Sequence, residues 1–349
     1  MATEDTQEAG IVLKHTEGCQ SEIIGSTFVV PNPMVPLMES LTQTQRERRN
    51  VVLFGAGVSR YAGYICPKPP ALGSELLGTL RTFDQTTWGS LPECFASHFD
   101  QGFEVGMESI SSGEIDWFPR LMRSTSKYFL CFAPDGSGMD AYSRFVRALS
   151  RRKTATTTLL STLNYECLLE YGANIEGLHF AHFNAEPIER NASIWKLHGS
   201  CSFAPGAGVQ FGRGVNYDGS TIIESGITFL TPTRASEWLR GDTALYSAMC
   251  MFAPNKPVQF APSLFQAVHT SWGGRVTTAS AVLVAGARPH PADKHIWSPL
   301  STTPATVGFI GSKAEYESWL PQRGGKPTSY LGSKFEEIVD DAAEFVSQY

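Results

Sequence analysis

Val51-Val52-Leu53-Phe54-Gly55-Ala56-Gly57-Val58-Ser59 is the stretch whose reading decides the fold of this chain. Four apolar residues run straight into glycine-alanine-glycine, and a polar Ser59 follows two residues later. A buried parallel strand that ends in a tight turn and opens a helix has this form. Gly55 and Gly57 let the backbone turn sharply and approach a ligand without a Cβ in the way. The N–H groups at the start of the following helix suit a phosphate. On this stretch alone, a structural glycine turn and a nucleotide loop both stay open. The dinucleotide fingerprint of hydride-transfer enzymes needs a glycine three residues after the second one and an acid about 20 residues on. Here those places hold Arg60 and Glu75, the latter at the start of an expected helix. A hydride-transferring Rossmann enzyme is therefore disfavoured.

Outward from this turn, further apolar or β-branched runs read as strands: Thr156 to Thr162, Ser193 to Leu197, Ile227 to Leu230, Ala281 to Ala285 and Thr306 to Ile310. Helical spacings fall between them. Ser74 is the expected N-cap of a helix carrying Leu76, Leu77 and Leu80. Further helices are expected from about Ser263 to Trp272, from Asp293 to Trp297 and from Phe335 to Val346. Strands and helices that alternate in this way predict an α/β fold with a doubly wound, Rossmann-like parallel sheet. Between about 85 and 150, Phe95, Phe99, Phe103, Trp117, Phe118, Leu121, Met122, Phe129 and Phe145 recur, many at helical spacings. They predict a helical insertion packed over the sheet edge, its aromatics core rather than cofactor box. Residues 201–226 are glycine-rich and read as a long loop or β-ribbon. The domain division is an N-terminal arm and lead-in helix over 1–48, then one domain over 49–349.

The bulk composition narrows the function classes. At 349 residues, 42% hydrophobic and 18% charged, the chain has the make-up of a soluble globular protein. A net charge of −6 argues against direct nucleic-acid binding, which needs clustered Lys and Arg. The short basic runs Arg46-Glu47-Arg48-Arg49 and Arg151-Arg152-Lys153 read as solvated helix ends. Seven cysteines, Cys19, Cys66, Cys94, Cys131, Cys167, Cys201 and Cys250, stand singly with no C-x-x-C pair. That excludes a four-cysteine zinc ribbon and suits a reducing cytoplasm. No secretory signal or membrane span is legible, so a cytoplasmic location with no membrane partner is expected. His179 and His182, and His290, Asp293 and His295, offer ligand pairs, but three or four convergent ligands are not evident. These histidines read as surface or structural, and no metal is expected.

In a doubly wound sheet, ligands bind beyond the carboxyl ends of the strands. Four expected strand ends carry polar or glycine residues: Gly55 to Ser59, Asn164-Tyr165-Glu166, His198-Gly199 and Gly286-Ala287-Arg288. Singly, each reads as a turn, a cap or a structural histidine. Together they bring a phosphate loop, an amide and an imidazole toward one pocket. In order and spacing the chain resembles the sirtuin (silent-information-regulator) superfamily, in particular the zinc-free NADase domains of bacterial antiphage defence. The resemblance runs from about Val51 to Ile310. Gly55-Ala56-Gly57-Val58-Ser59 with Gly63 and Pro67 resembles the G-A-G-x-S loop. Thr162-Leu163-Asn164-Tyr165-Glu166 resembles T-x-N-[IY]-D, and Lys196-Leu197-His198-Gly199-Ser200 resembles K-L-H-G. Val284-Ala285-Gly286-Ala287-Arg288, with Asp293 and Trp297, resembles the late G-x-S segment in degenerate form. The chain departs from the family in having Glu166 where Asp is usual, and in lacking a phenylalanine-arginine pair in Lys68-Pro69-Pro70-Ala71-Leu72.

The resemblance implies an NAD glycohydrolase that releases nicotinamide and ADP-ribose, with NAD as substrate and no metal. It implies Asn164 and His198 as catalytic residues, Asn164 positioning ribose and water and His198 acting as general base. Gly55, Ala56, Gly57 and Ser59 would hold the pyrophosphate, Glu166 the nicotinamide region, and Gly286 and Arg288 the adenosine side. Depletion of NAD by an unregulated enzyme would kill its host, so a homo-oligomer held latent until a regulatory partner protein or activating ligand acts is expected. The alternatives are a non-catalytic NAD- or ADP-ribose-binding scaffold and, disfavoured by the missing zinc ribbon, an NAD-dependent protein deacylase.

Overall fold

The computed structural model describes residues 28–29, 50–113, 117–183, 191–206, 222–241, 244–250 and 258–349. The expected arm and lead-in helix over 1–48 lie outside the described residues, apart from a strand at Phe28–Val29.

Among the described residues, seven parallel strands make the main sheet. In chain order they are β1 (Asn50–Phe54), β2 (Thr158–Thr162), β3 (His179–His182), β4 (Asn191–Lys196), β5 (Ala281–Ala285), β6 (Thr306–Ile310) and β7 (Thr328–Gly332). Their spatial order is β7-β6-β5-β1-β2-β4-β3. Every residue of β1, β2 and β5 is buried. Strands covered on both faces need continuous apolar runs rather than alternation, and Val51 to Phe54 and Ala281 to Ala285 supply them. The doubly wound reading holds.

Paired residues of neighbouring parallel strands share a face, which fixes what covers each side. Phe54 and Thr162 lie opposite each other on one face, Leu53 and Ser161 on the other. On the first face the Phe54 ring meets Tyr142 at 5.3 Å and Phe145 at 5.6 Å, both in the helix Ala141–Arg151. That helix buries Tyr142, Phe145, Val146 and Leu149, a stripe at helical spacing. Its N-cap is Asp140, which accepts from the N–H groups of Tyr142 and Ser143. It packs beside the helices Leu168–Ile175 and Val339–Ser347. On the second face Trp272, from the helix Pro262–Thr278, donates its indole N–H to Ser161 at 3.0 Å. The helix Lys294–Thr302 completes that layer.

Several local expectations change. The helix Gly73–Phe83 is capped by Leu72 without a side-chain bond, so Ser74 lies inside it rather than at its N-cap. Ile227–Phe229 is a strand, but it pairs antiparallel with Phe203–Pro205 and Phe28–Val29 in a small second sheet. The edge strands β3 and β7 were not anticipated, because half-buried edges carry neither a continuous apolar run nor a clean alternation. Within 85–150, the helices Glu93–Ala96, Phe103–Gly113 and Trp117–Phe129 form a separate layer. The buried rings of Trp88, Phe99 and Phe103 meet there at 5.4 to 5.9 Å. Ala141–Arg151, by contrast, belongs to the layer on the sheet. No helix among the described residues is long and apolar enough to cross a membrane.

Candidate active site

From β1 the chain moves out to β2, on to β3 at the edge and back to β4 between them, then crosses to β5 on β1's other side. The carboxyl ends of β1 and β5 therefore flank the topological switch, where an open α/β sheet forms its crevice. The Gly55 N–H donates to Ala285 O at 2.9 Å, and the Gly57 N–H to Gly286 O at 3.0 Å. A Cβ on Gly55 would lie 2.4 Å from Gly286 O, and one on Gly286 would lie 2.5 Å from Val58 N. Gly286 also has φ +63°, a left-handed conformation that disfavours a side chain. The glycines are thus needed for two turns to lie against each other. The Gly57 N–H, expected to face a phosphate, is taken by Gly286. Ala56 and Arg288 are exposed beside this contact, and Gly286 is half-buried.

Behind the turn lies a buried polar cluster. Asn164 follows β2 by two residues, and its Nδ2 donates to Gly55 O at 3.1 Å, Ser59 Oγ at 2.9 Å and Tyr142 OH at 3.2 Å. The Ser59 hydroxyl donates to the Glu166 carboxylate and also bonds Tyr142 OH at 2.7 Å. Lys196, at the end of β4, has its Nζ 3.1 Å from Glu170 Oε1 and donates to the Glu166 carbonyl. Ser59, Glu166, Glu170 and Lys196 are all buried. Burial pushes the Glu166 carboxyl upward, partly offset by Lys196 and Ser59. Burial acts to lower Lys196, but the carboxylates of Glu170 and Glu166 outweigh it and the ammonium is held above its ordinary range. Burial, then the Glu166 charge, raises the Tyr142 phenol.

Ser59 and Glu166, expected beside the ligand, bond each other in the interior. Glu166, one methylene longer than aspartate, spends that length on Ser59. Tyr142 and Glu170 were missed in the sequence. Tyr142 gave no signal beyond its helical stripe, whereas Glu170 stands four residues beyond Glu166, at the spacing of one helical turn.

His198 sits on a turn held from two sides. Gly199 has φ +78°, and a Cβ there would lie 2.2 Å from Ala248 O. The Cys250 N–H donates to His198 O at 2.8 Å, and the Cys201 N–H to Tyr165 O at 2.9 Å, which ties this turn to the Asn164 segment. The imidazole is buried, its side chain 5% exposed. Its Nε2 lies 3.2 Å from His295 Nε2 and 3.5 Å from Asp293 Oδ1. Asp293 closes the 3-10 turn Pro291–Asp293, and His295 lies in the first turn of the next helix. His269 stacks on His295 with centroids 4.1 Å apart and donates from Nε2 to Leu197 O at 2.7 Å. Burial pushes His269 downward. Three potential metal ligands therefore do converge, contrary to the sequence reading, because His198 joins Asp293 and His295 from a distant strand end. A cavity of about 670 Å³ between the helices Pro262–Thr278 and Lys294–Thr302 is lined by Phe265, His269, Gly273, His295 and Pro299, among others.

No protein-family model and no curated protein matches the sequence. Among solved structures, a Sir2 homologue in complex with ADP-ribose is similar over 89% of this chain and 96% of its own, at 15% identity and a TM-score of 0.39. A Sir2 structure with a deacetylated p53 peptide and 3′-O-acetyl ADP-ribose is similar over 91% of this chain and 98% of its own, at 14% identity and a TM-score of 0.37. These neighbours are Sir2 proteins.

Proposed function

We propose that the protein is an NAD glycohydrolase, cleaving NAD to nicotinamide and ADP-ribose as a regulated antiphage effector. One juxtaposition carries the reading. Asn164 and His198 follow the ends of the neighbouring strands β2 and β4, and Asn164 is bonded to the Gly55 turn at the sheet's switch point. Neighbouring strands run about 4.8 Å apart, so the backbones that carry the amide and the imidazole leave the sheet side by side at its carboxyl end.

The reaction breaks the bond between ribose C1′ and the nicotinamide nitrogen, which keeps the electron pair and leaves neutral. Water forms the new C1′–O bond and gives up a proton. The transition state resembles an oxocarbenium ion, so catalysis consists of holding the sugar and aligning the water. Asn164, held at Nδ2 by Gly55, Ser59 and Tyr142, orients ribose and water. His198 takes the proton, with the Asp293 carboxylate beside the imidazolium that forms. Ser59 and Glu166 act as positioning residues for Asn164. The backbone of Gly55, Ala56 and Gly57 borders the pyrophosphate, and Gly286 and Arg288 border the adenosine.

The test is nicotinamide release from NAD by the full chain, with and without an acylated peptide. Release is expected without peptide, and Asn164→Ala and His198→Ala are each expected to lower it by about 100-fold or more. Undiminished release by both folded variants refutes the assignment, and release only with peptide replaces it by deacylation. The burial of Glu166 away from solvent favours one further reading, an ADP-ribose-binding scaffold, for which NAD binds to the wild type without turnover.

A further inference from the structure

We propose that His198, Asp293 and His295 form a binding site for one divalent transition-metal ion, best suited to Zn²⁺. Their ligand atoms lie within 4.8 Å of one another. His198 Nε2 is 3.2 Å from His295 Nε2 and 3.5 Å from Asp293 Oδ1. Two ligands at 2.0–2.1 Å from a tetrahedral Zn²⁺ stand about 3.3–3.4 Å apart. These two separations bracket that edge length, and the third, between His295 and Asp293, lies within 4.8 Å and closes as an ion draws the two ligands together. The two imidazoles are borderline donors and, beside one hard carboxylate, favour zinc over magnesium or calcium, which prefer all-oxygen sites.

The site is built by the fold rather than by a local motif. His198 comes from the turn after β4, which is clamped by Ala248 and Cys250. Asp293 and His295 flank the start of the helix Lys294–Thr302. His269, stacked on His295 and anchored to Leu197 O, fixes the plane of the second imidazole, as ordered surroundings do in metal sites. His295 also lines the cavity of about 670 Å³, which gives an ion a path to that ligand.

Binding requires both Nε2 atoms to be unprotonated, so the proton shared between His198 and His295 leaves for solvent as the ion enters. A consequence rests on the NAD-cleaving reading: Zn²⁺ on His198 Nε2 occupies the lone pair that would accept the proton from water. The ion is then an inhibitor, and its removal releases activity.

The test uses metal-free full-length protein titrated with Co²⁺ and followed by the visible bands of the tetrahedral ion. One Co²⁺ per chain is expected, displaced by Zn²⁺. Asp293→Asn and His295→Gln, both close in shape to the native side chains, are each expected to weaken binding by about 100-fold or more, while unfolding midpoints report that the variants are folded. Absence of the bands, or unchanged affinity in both folded variants, overturns the site. In parallel, equimolar Zn²⁺ is expected to suppress nicotinamide release by the wild type and to spare the His295→Gln variant. Co²⁺ binding without any NAD cleavage leaves the metal site standing and refutes the glycohydrolase. NAD cleavage without Co²⁺ binding does the reverse.

Discussion

Lys196→Met tests whether the ion pair behind the candidate site holds the fold together. The Lys196 side chain is fully buried and that of Glu170 is 3% exposed, with Nζ and Oε1 3.1 Å apart. At that separation and an effective dielectric near 20, the attraction is about 5 kcal/mol. Removing the ammonium also strips the Glu166 carbonyl of its donor. It leaves the buried Glu170 carboxyl without its cation, near Glu166. Breaking a buried pair from one side destabilises by about 3–5 kcal/mol, and Lys196→Met is expected to fall in that range by urea unfolding at pH 7. The double variant Lys196→Met/Glu170→Gln removes the stranded carboxyl and is expected to recover about 2 kcal/mol or more of the loss. A loss under about 1 kcal/mol for Lys196→Met, or strict additivity in the double variant, would refute the claim that this pair organises the interior.

Two further outcomes follow from the same geometry. His182 is ringed by Phe180, Phe203 and Phe229, and burial pulls its imidazole down from 6.5 to about 4. A histidine depressed in the folded state contributes stability that is whole above pH 6.5 and is lost as pH falls toward 4. The wild type is therefore expected to lose up to about 2 kcal/mol between pH 8 and pH 5 relative to His182→Phe, with equal pH dependence of the two urea midpoints as the contrary result. Gly55→Ala would put a Cβ 2.4 Å from Gly286 O. It is expected to lower stability by at least about 1–3 kcal/mol, and an unchanged thermal midpoint would show that the two turns separate freely.

The main sheet was legible because its central strands are buried on both faces and so write themselves as unbroken apolar runs, in Val51 to Phe54 and Ala281 to Ala285. The glycines at 55, 57, 199 and 286 were equally legible, though partly for another reason than the one they suggested. At Gly55 and Gly286 a side chain would strike the neighbouring turn rather than a ligand. Asn164 and His198 stood out as polar residues at strand ends, and the parallel sheet does set their strands side by side. The inward turn of Glu166 was not legible, since an acid after a strand looks the same whether it faces a ligand or Ser59.

Strand periodicity, turn chemistry and the alternation of elements are properties of neighbouring residues, and the sequence by itself determined them here. Which strand lies beside which is set by burial of faces across long separations, and only the tertiary structure decided that. It paired Lys196 with Glu170, sent Ile227–Phe229 to a second sheet, and carried His198 from the end of β4 to within 3.5 Å of Asp293. No spacing rule links residues so far apart in the chain. The contact exists because the helix starting at Lys294 packs over the sheet's second face and brings its first turn to the carboxyl end of β4.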